Sequence, residues 1–429
     1  MAELEFQRDV ALPYHLLQLA ELRGVLKRFG QESADRFRLS RAQLRSVENG
    51  LKALRGRHEA LADGTLLAQK RQKEQELRRR VDADAKLKAE AGSAWEETAA
   101  ALGEYRRFLV AYSMKEGGDA FESDLFTAAR ALVRAADELP KPNGERLREY
   151  TDARLPALKQ QLLRDAPISR ELEELTFAFS LSRLREQLGV DDPFVQTVLG
   201  KEAPEDLARR LVRTTKLGDV KERQRLLEGG RAAVEASADP MLKLARAVDA
   251  QSREVRKRYE ETVESVLQRN GERIARAHFA VNGMGGYPDA TFTLRLSYGK
   301  VAGWEESGKQ VPAMTTFAGA YARHTGKYPF ALPPTWLRAR GKVPGETPFD
   351  FATTNDIIGG NSGSPMVNRD GHIVGLIFDG NLPSLGGRYG YVAATNRAVG
   401  VHGDGLLAGL EHVYGAKRLV EELRSAQAK

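Results

Sequence analysis

Cysteine is missing altogether from these 429 residues. That excludes disulfides, thiolate metal sites and a cysteine nucleophile, while fitting a reducing or an oxidising compartment equally well. No run of eighteen or more apolar residues occurs, so no membrane-spanning helix is expected. The N-terminus, Met-Ala-Glu-Leu-Glu-Phe-Gln, has neither the basic stretch nor the apolar core of a secretory leader, and no signal peptide is expected in the chain. No set of His, Asp and Glu has metal-ligand spacing such as H-E-x-x-H, and neither a metal nor another cofactor is implied.

An excess of one charge is also lacking. The net charge of +7 comes from 66 basic and 59 acidic residues that are interleaved, as in Arg71-Gln-Lys-Glu-Gln-Glu-Leu-Arg-Arg-Arg80. Mixed signs at helical spacing describe solvated faces with i,i+4 pairs. No basic groove with interleaved aromatics appears, so nucleic acid is not an expected partner. Hydrophobic residues make up 41% of the chain, enough for a sizeable core in two or three domains.

From Leu16 to about Arg276 the pattern is helical. Leu16, Leu19, Leu22, Val25, Leu26 and Phe29 hold one apolar stripe. Ser40 reads as the cap of a helix over 41–54, and Asp63-Gly64 ends that run before a charged helix over 68–81. Further helices are expected over 94–112, 125–139, 144–163, 169–188, 204–212 and 222–235. A long one over 239–274 has Pro240 in its first turn, where a missing N–H does no harm. Asn49-Gly50 lies mid-helix and weakens it, which allows a bend or tertiary contact there, but plain helix surface is the default reading and no site role is assigned.

Near His278 the grammar changes, which predicts a domain boundary: helical domain 1–276, then a β-rich domain 277–429 closed by a C-terminal helix over 406–426. Residues 290–298 alternate as a half-buried strand, and 299–304 continue as a short one. Residues 315–325 suit a helix and 389–394 a strand. Met366-Val367, the turn Asn368-Arg369-Asp370-Gly371 and His372–Phe378 form a hairpin, because Asp-Gly between apolar β-branched runs is a strong turn signal.

The β-rich region is organised around Gly359-Gly360-Asn361-Ser362-Gly363-Ser364-Pro365. Glycines on both sides let the backbone turn tightly and leave the Ser362 hydroxyl exposed. Such a bend can also aim successive N–H groups at one point, as an oxyanion requires. The competing reading is a glycine-rich β-turn with serines chosen for turn chemistry. Asp379-Gly380 ends the strand that follows. It reads either as an ordinary Asp-Gly turn or as a carboxylate at the rim of the serine site, able to take a substrate ammonium, with Gly380 leaving room for a bulky side chain. Of the seven histidines, His402 in Val401-His-Gly-Asp404 could belong to a site. His372 reads as a surface strand residue, and no histidine sits in a recognisable triad segment.

Gly-Gly-Asn-Ser-Gly-Ser-Pro, followed by a hairpin and Phe378-Asp379-Gly380-Asn381, resembles the active-serine element of chymotrypsin-fold peptidases and, more specifically, the bacterial dipeptidyl-peptidase 7 and 11 family. The stretches 40–54 and 287–299 share that resemblance. It implies a helical domain followed by the C-terminal part of a trypsin-like antiparallel β-barrel, an α+β fold. It also implies homodimerisation, a periplasmic or cell-surface setting, and removal of dipeptides from the N-termini of oligopeptide substrates.

Residue by residue, the resemblance makes Ser362 the acylated nucleophile and the Gly360 and Ser362 N–H groups the oxyanion hole. It makes Asp379 the carboxylate that fixes the substrate ammonium. Glycine at 380 goes with an apolar penultimate residue, the type 7 preference. The family's triad histidine and aspartate, and an Asn-Trp pair that also binds the ammonium, have no counterpart in the sequence. The expectation is therefore a portion that is competent only with a missing N-terminal half. A non-catalytic peptide-binding or scaffold remnant is the alternative.

Overall fold

The computed structural model describes residues 1–283, 285 and 294–426. It divides into two compact units. One comprises Met1–Lys52 with Lys70–Met284, and the other Ala53–Gln69 with Gly285–Lys429.

The first unit is mostly helical. The apolar stripe read from Leu16 to Phe29 lies on the helix Leu12–Gln31, whose Leu22 and Leu26 pack with Leu44, Val47 and Leu51. Those three belong to a helix that runs from Ala34 to Ala62, seven residues earlier and eight later than the sequence suggested. Ser33 accepts from the Arg36 N–H at 3.1 Å near its start. Ser40 is buried inside it and donates to the Arg36 carbonyl at 3.0 Å, so it is not a cap. A serine hydroxyl can satisfy itself on the preceding turn, which is why the cap signal misled. Gly50 supplies a tertiary contact, since a Cβ there would lie 3.1 Å from Leu19 Cδ1.

The expected helix over 144–163 is shortened from its start. Two single 3-10 turns, Asn143–Glu145 and Arg148–Tyr150, precede a helix of only Leu155–Leu162. The buried Glu138 carboxylate holds that segment by accepting from the Leu147 N–H at 2.8 Å, and the Tyr150 hydroxyl reaches the Ala131 carbonyl. These partners compensate the backbone better than an exposed helix start would. The last helical run of the unit continues through Pro240–Tyr259, a π-turn at Glu260–Glu264, and Ser265–Asn282.

Some of the interleaved charge is interior. Arg134, 4% exposed, grips both carboxylate oxygens of Glu116 at 2.8 and 2.6 Å and Asp249 at 2.7 Å. Burial alone would lower its guanidinium pKa, but the two carboxylates hold it above the ordinary value. Around this cluster is an apolar core that includes Phe126, Phe177, Leu181, Phe194 and Met241.

Among the described residues, the second unit carries seven short strands: β1 Trp304–Glu306, β2 Lys309–Val311, β3 Met314–Thr316, β4 Pro348–Thr353, β5 Pro365–Val367, β6 Ile373–Gly380 and β7 Ala398–His402. β1 and β2 form a separate hairpin, and the others make one antiparallel sheet ordered β3-β4-β7-β6-β5. A mostly helical region followed by small antiparallel sheets is thus the observed architecture, as expected. Phe317, Tyr321 and Val343 form a small core with Trp336 and Phe349.

Several expected elements differ. Residues 290–293 of the proposed strand over 290–298 lie outside the described residues, and 294–300 carry no strand. Of the run over 299–304, Val301 makes an isolated bridge to Thr353 and Trp304 opens β1. The helix expected over 315–325 is confined to Phe317–Ala322, because Met314–Thr316 pair with β4. No strand forms over 389–394. The strand is β7, which begins nine residues later than expected and lies between β4 and β6. Arg397 explains the displacement: buried, it donates to the carbonyls of Ala302, Gly303, Ala393, Ala394 and Asn396, holding the preceding chain in turns. The C-terminal helix is broken into Gly403–Ala408, a π-turn Gly409–Val413 and Lys417–Ala426, with Gly415 at φ +66° between the last two.

Candidate active site

The hairpin read from the sequence is present as β5 and β6. Asn368 N–H donates to the His372 carbonyl at 2.9 Å, and the Asn368 side-chain oxygen caps the Asp370 and His372 N–H groups. Gly371 takes the left-handed conformation at φ +82° that this turn requires.

The serine turn precedes β5 and is strapped to β6. Gly360 and Gly363 have φ of +105° and +88°, values an L side chain rarely adopts, so the bend depends on glycine at both positions. Asn361 stabilises it by accepting from the Ile358 N–H at 3.0 Å. Gly363 N–H donates to the Ile377 carbonyl at 2.7 Å, and Ile377 N–H returns a bond to Ser364 at 3.1 Å. The exposed Ser362 hydroxyl lies over the next residue of β6, 3.4 Å from the Phe378 carbonyl oxygen. Among the described residues, neither the Gly360 nor the Ser362 N–H donates to a backbone carbonyl.

β6 contains an irregularity at that same place. Ile377 pairs with Gly400 and Asp379 with Val399, so Phe378 is an extra residue without its own partner. A bulge bends the strand and re-aims the residues after it. Here it leaves Phe378 and Asp379 both exposed, where simple alternation would bury one of them. The Asp379 carboxylate accepts from the Gly380 N–H at 2.8 Å. Ser362, Asp379 and Gly380 are therefore held by one bulged strand end.

Beyond Gly380, Asn381 is 8% exposed and uses both ends of its side-chain amide. Its oxygen accepts from Arg397 N–H at 3.0 Å and Ser384 N–H at 3.2 Å, and its nitrogen donates to Thr395 at 2.7 Å. On the other side, the chain leading to the serine is tied to 297–300. Ser297 Oγ donates to Asp356, Asn355 Nδ2 to Ser297, and Thr354 N–H to Lys300. The Tyr391 hydroxyl donates to the Thr354 carbonyl at 2.6 Å.

Three histidines of the sheet unit are engaged away from Ser362. His402 Nδ1 accepts from the Asp404 N–H at 3.2 Å as a helix cap, and its ring meets Phe351 edge-on. His402 pairs with Gly375, at the opposite end of β7 from the Asp379–Val399 pair. His324 Nδ1 accepts from Leu332 N–H, and His372 sits in the β5–β6 turn. Among the described residues the Ser362 hydroxyl has no bond to a histidine. Nor does any group of three His, Asp or Glu side chains among them suit a metal ion. No described helix is long and apolar enough to cross a membrane.

A profile described as peptidase S46 matches residues 1–425. The chain belongs to the peptidase S46 family. Its relatives in this family include an Asp/Glu-specific dipeptidyl-peptidase of Shewanella putrefaciens, 25% identical over 98% of this chain and 62% of that protein. A dipeptidyl-peptidase 7 of Phocaeicola vulgatus is 35% identical over 32% of this chain and 20% of its own length. The fold matches that of Porphyromonas endodontalis DPP11 in complex with the dipeptide Arg-Glu, with a TM-score of 0.71 at 18% identity, covering 99% of this chain and 62% of that one. The chain thus spans about three-fifths of the length of the Shewanella putrefaciens and Porphyromonas endodontalis proteins. Relatives of both named specificities match, so membership by itself does not choose between them.

The bulge at Phe378, the Asn381 anchor and the tie between 297–300 and the serine turn were not read from the sequence. The Asn after Asp379-Gly380 was visible but carried no pattern of its own. The bulge had no local signal, because it exists only relative to β7.

Proposed function

We propose that this chain supplies the nucleophile and amino-terminus recognition of a serine dipeptidyl-peptidase. The observation that carries the reading is the bulged end of β6, which holds the Ser362 hydroxyl beside the backbone bearing Asp379 and Gly380. In this reading Ser362 attacks the scissile carbonyl. The Gly360 and Ser362 N–H groups receive the oxyanion, in the role such donors play in acyl transfer. Asp379 takes the substrate α-ammonium, so that the cut falls a fixed distance from a free N-terminus. Gly380 favours an apolar residue before the cut. Oligopeptides are the substrates, homodimerisation and a periplasmic or cell-surface setting accompany the activity, and no cofactor enters it.

A serine without an imidazole base retains only the catalysis that binding and the oxyanion hole provide. Turnover therefore requires a base-bearing segment outside these 429 residues. The second reading, a peptide-binding chain without turnover, is favoured by the same lack of an imidazole at Ser362 among the described residues.

Calorimetric titration with Val-Leu and N-acetyl-Val-Leu tests the binding step, and a fluorogenic dipeptidyl substrate tests turnover, with and without the N-terminal segment of a relative. Free Val-Leu should bind at least about tenfold more tightly than its acetylated form, and Asp379→Ala should erase the difference. Turnover restored by the added segment and lost with Ser362→Ala supports the enzyme. Asp379-dependent binding that never yields turnover supports the second reading, and equal affinity for both peptides refutes both.

A further inference from the structure

The space that a side chain at 380 would enter is not empty. A Cβ built on Gly380 would overlap the Ser384 hydroxyl oxygen and lie 3.2 Å from the Arg397 carbonyl oxygen. Ser384 is fixed there by its surroundings. Its hydroxyl donates to the Asn381 carbonyl at 2.6 Å, and its N–H bonds the Asn381 carbonyl at 3.0 Å and side chain at 3.2 Å. With the hydroxyl hydrogen committed, oxygen lone pairs remain to face the glycine. The segment Leu382–Arg388 that carries Ser384 is a 3-10 turn, and it is clamped from outside. The clamp is the tip of the hairpin formed by the helices Ala34–Ala62 and Gly64–Ala83, the part that belongs to the sheet unit. A Cβ on Gly56 would lie 2.5 Å from Leu385 Cδ1 and 2.7 Å from its Cβ, and one on Gly386 would lie 2.5 Å from the Ala60 Cβ. Bare backbone on each partner is what lets the two segments approach this closely.

We propose that Ser384, seated by the Gly56–Ala60 tip, sets together with Gly380 the depth and polarity of the side-chain pocket beside Asp379. The proposal rests on the reading of that site as a peptide site and adds a specificity residue to it. Removing the side chain at 380 opens less room than the glycine alone suggests, because Ser384 fills the adjoining volume with a hydroxyl. The pocket therefore takes small aliphatic side chains in preference to large ones. Truncating Ser384 admits larger ones. Gly56 acts as a positioning residue through Leu385.

Two measurements on the full chain test this. The first titrates Val-Ala, Val-Leu and Val-Phe, each free and N-acetylated, into the parent, Ser384→Gly and Gly56→Ala. Ser384→Gly should raise the affinity for Val-Phe relative to Val-Ala by about tenfold, the scale on which pockets resolve small volume changes. Preference for the free amino terminus should stay unchanged. Gly56→Ala should move the same ratio, a result that a purely structural contact would not give. The second measurement is a thermal-melt cycle: Gly380→Ala lowers the melting temperature, and adding Ser384→Gly restores most of the loss. An unchanged side-chain ratio in Ser384→Gly, with discrimination by the amino terminus intact, overturns the role of Ser384 and leaves the peptide site standing. A parent chain that binds none of the free dipeptides, or binds acetylated ones equally, overturns the peptide site and this role with it. A Gly380→Ala loss that Ser384→Gly does not relieve overturns the claim that Ser384 fills the space at 380.

Discussion

The helical unit and the sheet unit differ in how far they bury paired charges. In the helical unit, charges are buried and paired. Arg134 bridges Glu116 and Asp249, while Glu138, fully buried, gathers Arg253 and Lys141. In the sheet unit, large apolar side chains remain exposed, among them Val367 at 49%, Ile373 at 63% and Phe378 at 48%. Its principal buried cation, Arg397, is solvated by backbone carbonyls alone among the hydrogen bonds described. The lesson concerns where stability and chemistry reside. A buried ion network fixes one arrangement of helices but is costly to breach. An exposed turn on a bulged strand costs little to alter and is free to meet a substrate.

That contrast can be broken by mutation, and the largest expected effect lies far from the site. Arg134→Ala removes the cation shared by Glu116 and Asp249, leaving them to Arg256 at 3.4 Å and Arg253 at 2.5 Å, and should cost about 3 kcal/mol in denaturant unfolding, the low end for breaking a buried pair. An effect below about 1 kcal/mol would show that the network contributes little. Next comes Gly375→Val in β6, where even a Cβ would overlap the Val401 carbonyl and meet Phe351 Cε1 at 2.7 Å. A loss of about 1–3 kcal/mol, read by the same method, is expected from such overpacking.

A smaller effect sharpens the comparison through pH. Burial pushes the Asp350 carboxyl in β4 up to about 6, above its ordinary value of 3.8. The folded state thus binds the proton more tightly than the unfolded chain does. Asp350 imposes no penalty while protonated in both states, and a growing one as pH rises from about 4 through 6. Asp350→Asn should stabilise the fold at pH 7.5 by about 1 kcal/mol after allowing for partial exposure, seen as a higher melting temperature, and should give little gain at pH 4. A gain that is equal at both pH values would refute the assignment. Smallest of all is Ser362→Ala. Its exposed hydroxyl makes one long bond, so stability should change by less than about 0.5 kcal/mol even as any acylation disappears.

What could be read from the sequence follows the range of the interactions that decide each element. The β5–β6 hairpin was legible because Asn368 and Gly371 close it within five residues. The serine turn was legible because Gly360 and Gly363 mark positive φ. Amphipathic helices announced themselves through stripes such as Leu16–Phe29. By contrast, β7 was misplaced because Ala398–His402 is a short apolar run whose identity comes from β4 and β6. Those partners lie about fifty and twenty residues away, and the Tyr389–Ala394 run beside it carries the stronger local β composition. The start of the helix expected over 144–163 gave way to Glu138 and Ala131, acceptors outside the segment. For the candidate site, Ser362, Asp379 and Gly380 were visible, whereas Ser384 and the bulge that brings the group together depend on pairing across strands.

The assignment of Ala53–Gln69 to the sheet unit has a practical consequence for dissecting the protein. One cut at the Met284–Gly285 junction would not yield two self-sufficient pieces. The C-terminal fragment would lack the seventeen-residue helical wedge against which Leu385 and Gly386 rest, and the N-terminal fragment would carry that wedge with nothing to seat on. The architecture is nested: one unit reaches through the sequence of the other and retrieves a piece from more than two hundred residues upstream. Genetic separation of the two units therefore requires circular permutation or co-expression of the paired segments of each unit, four in all.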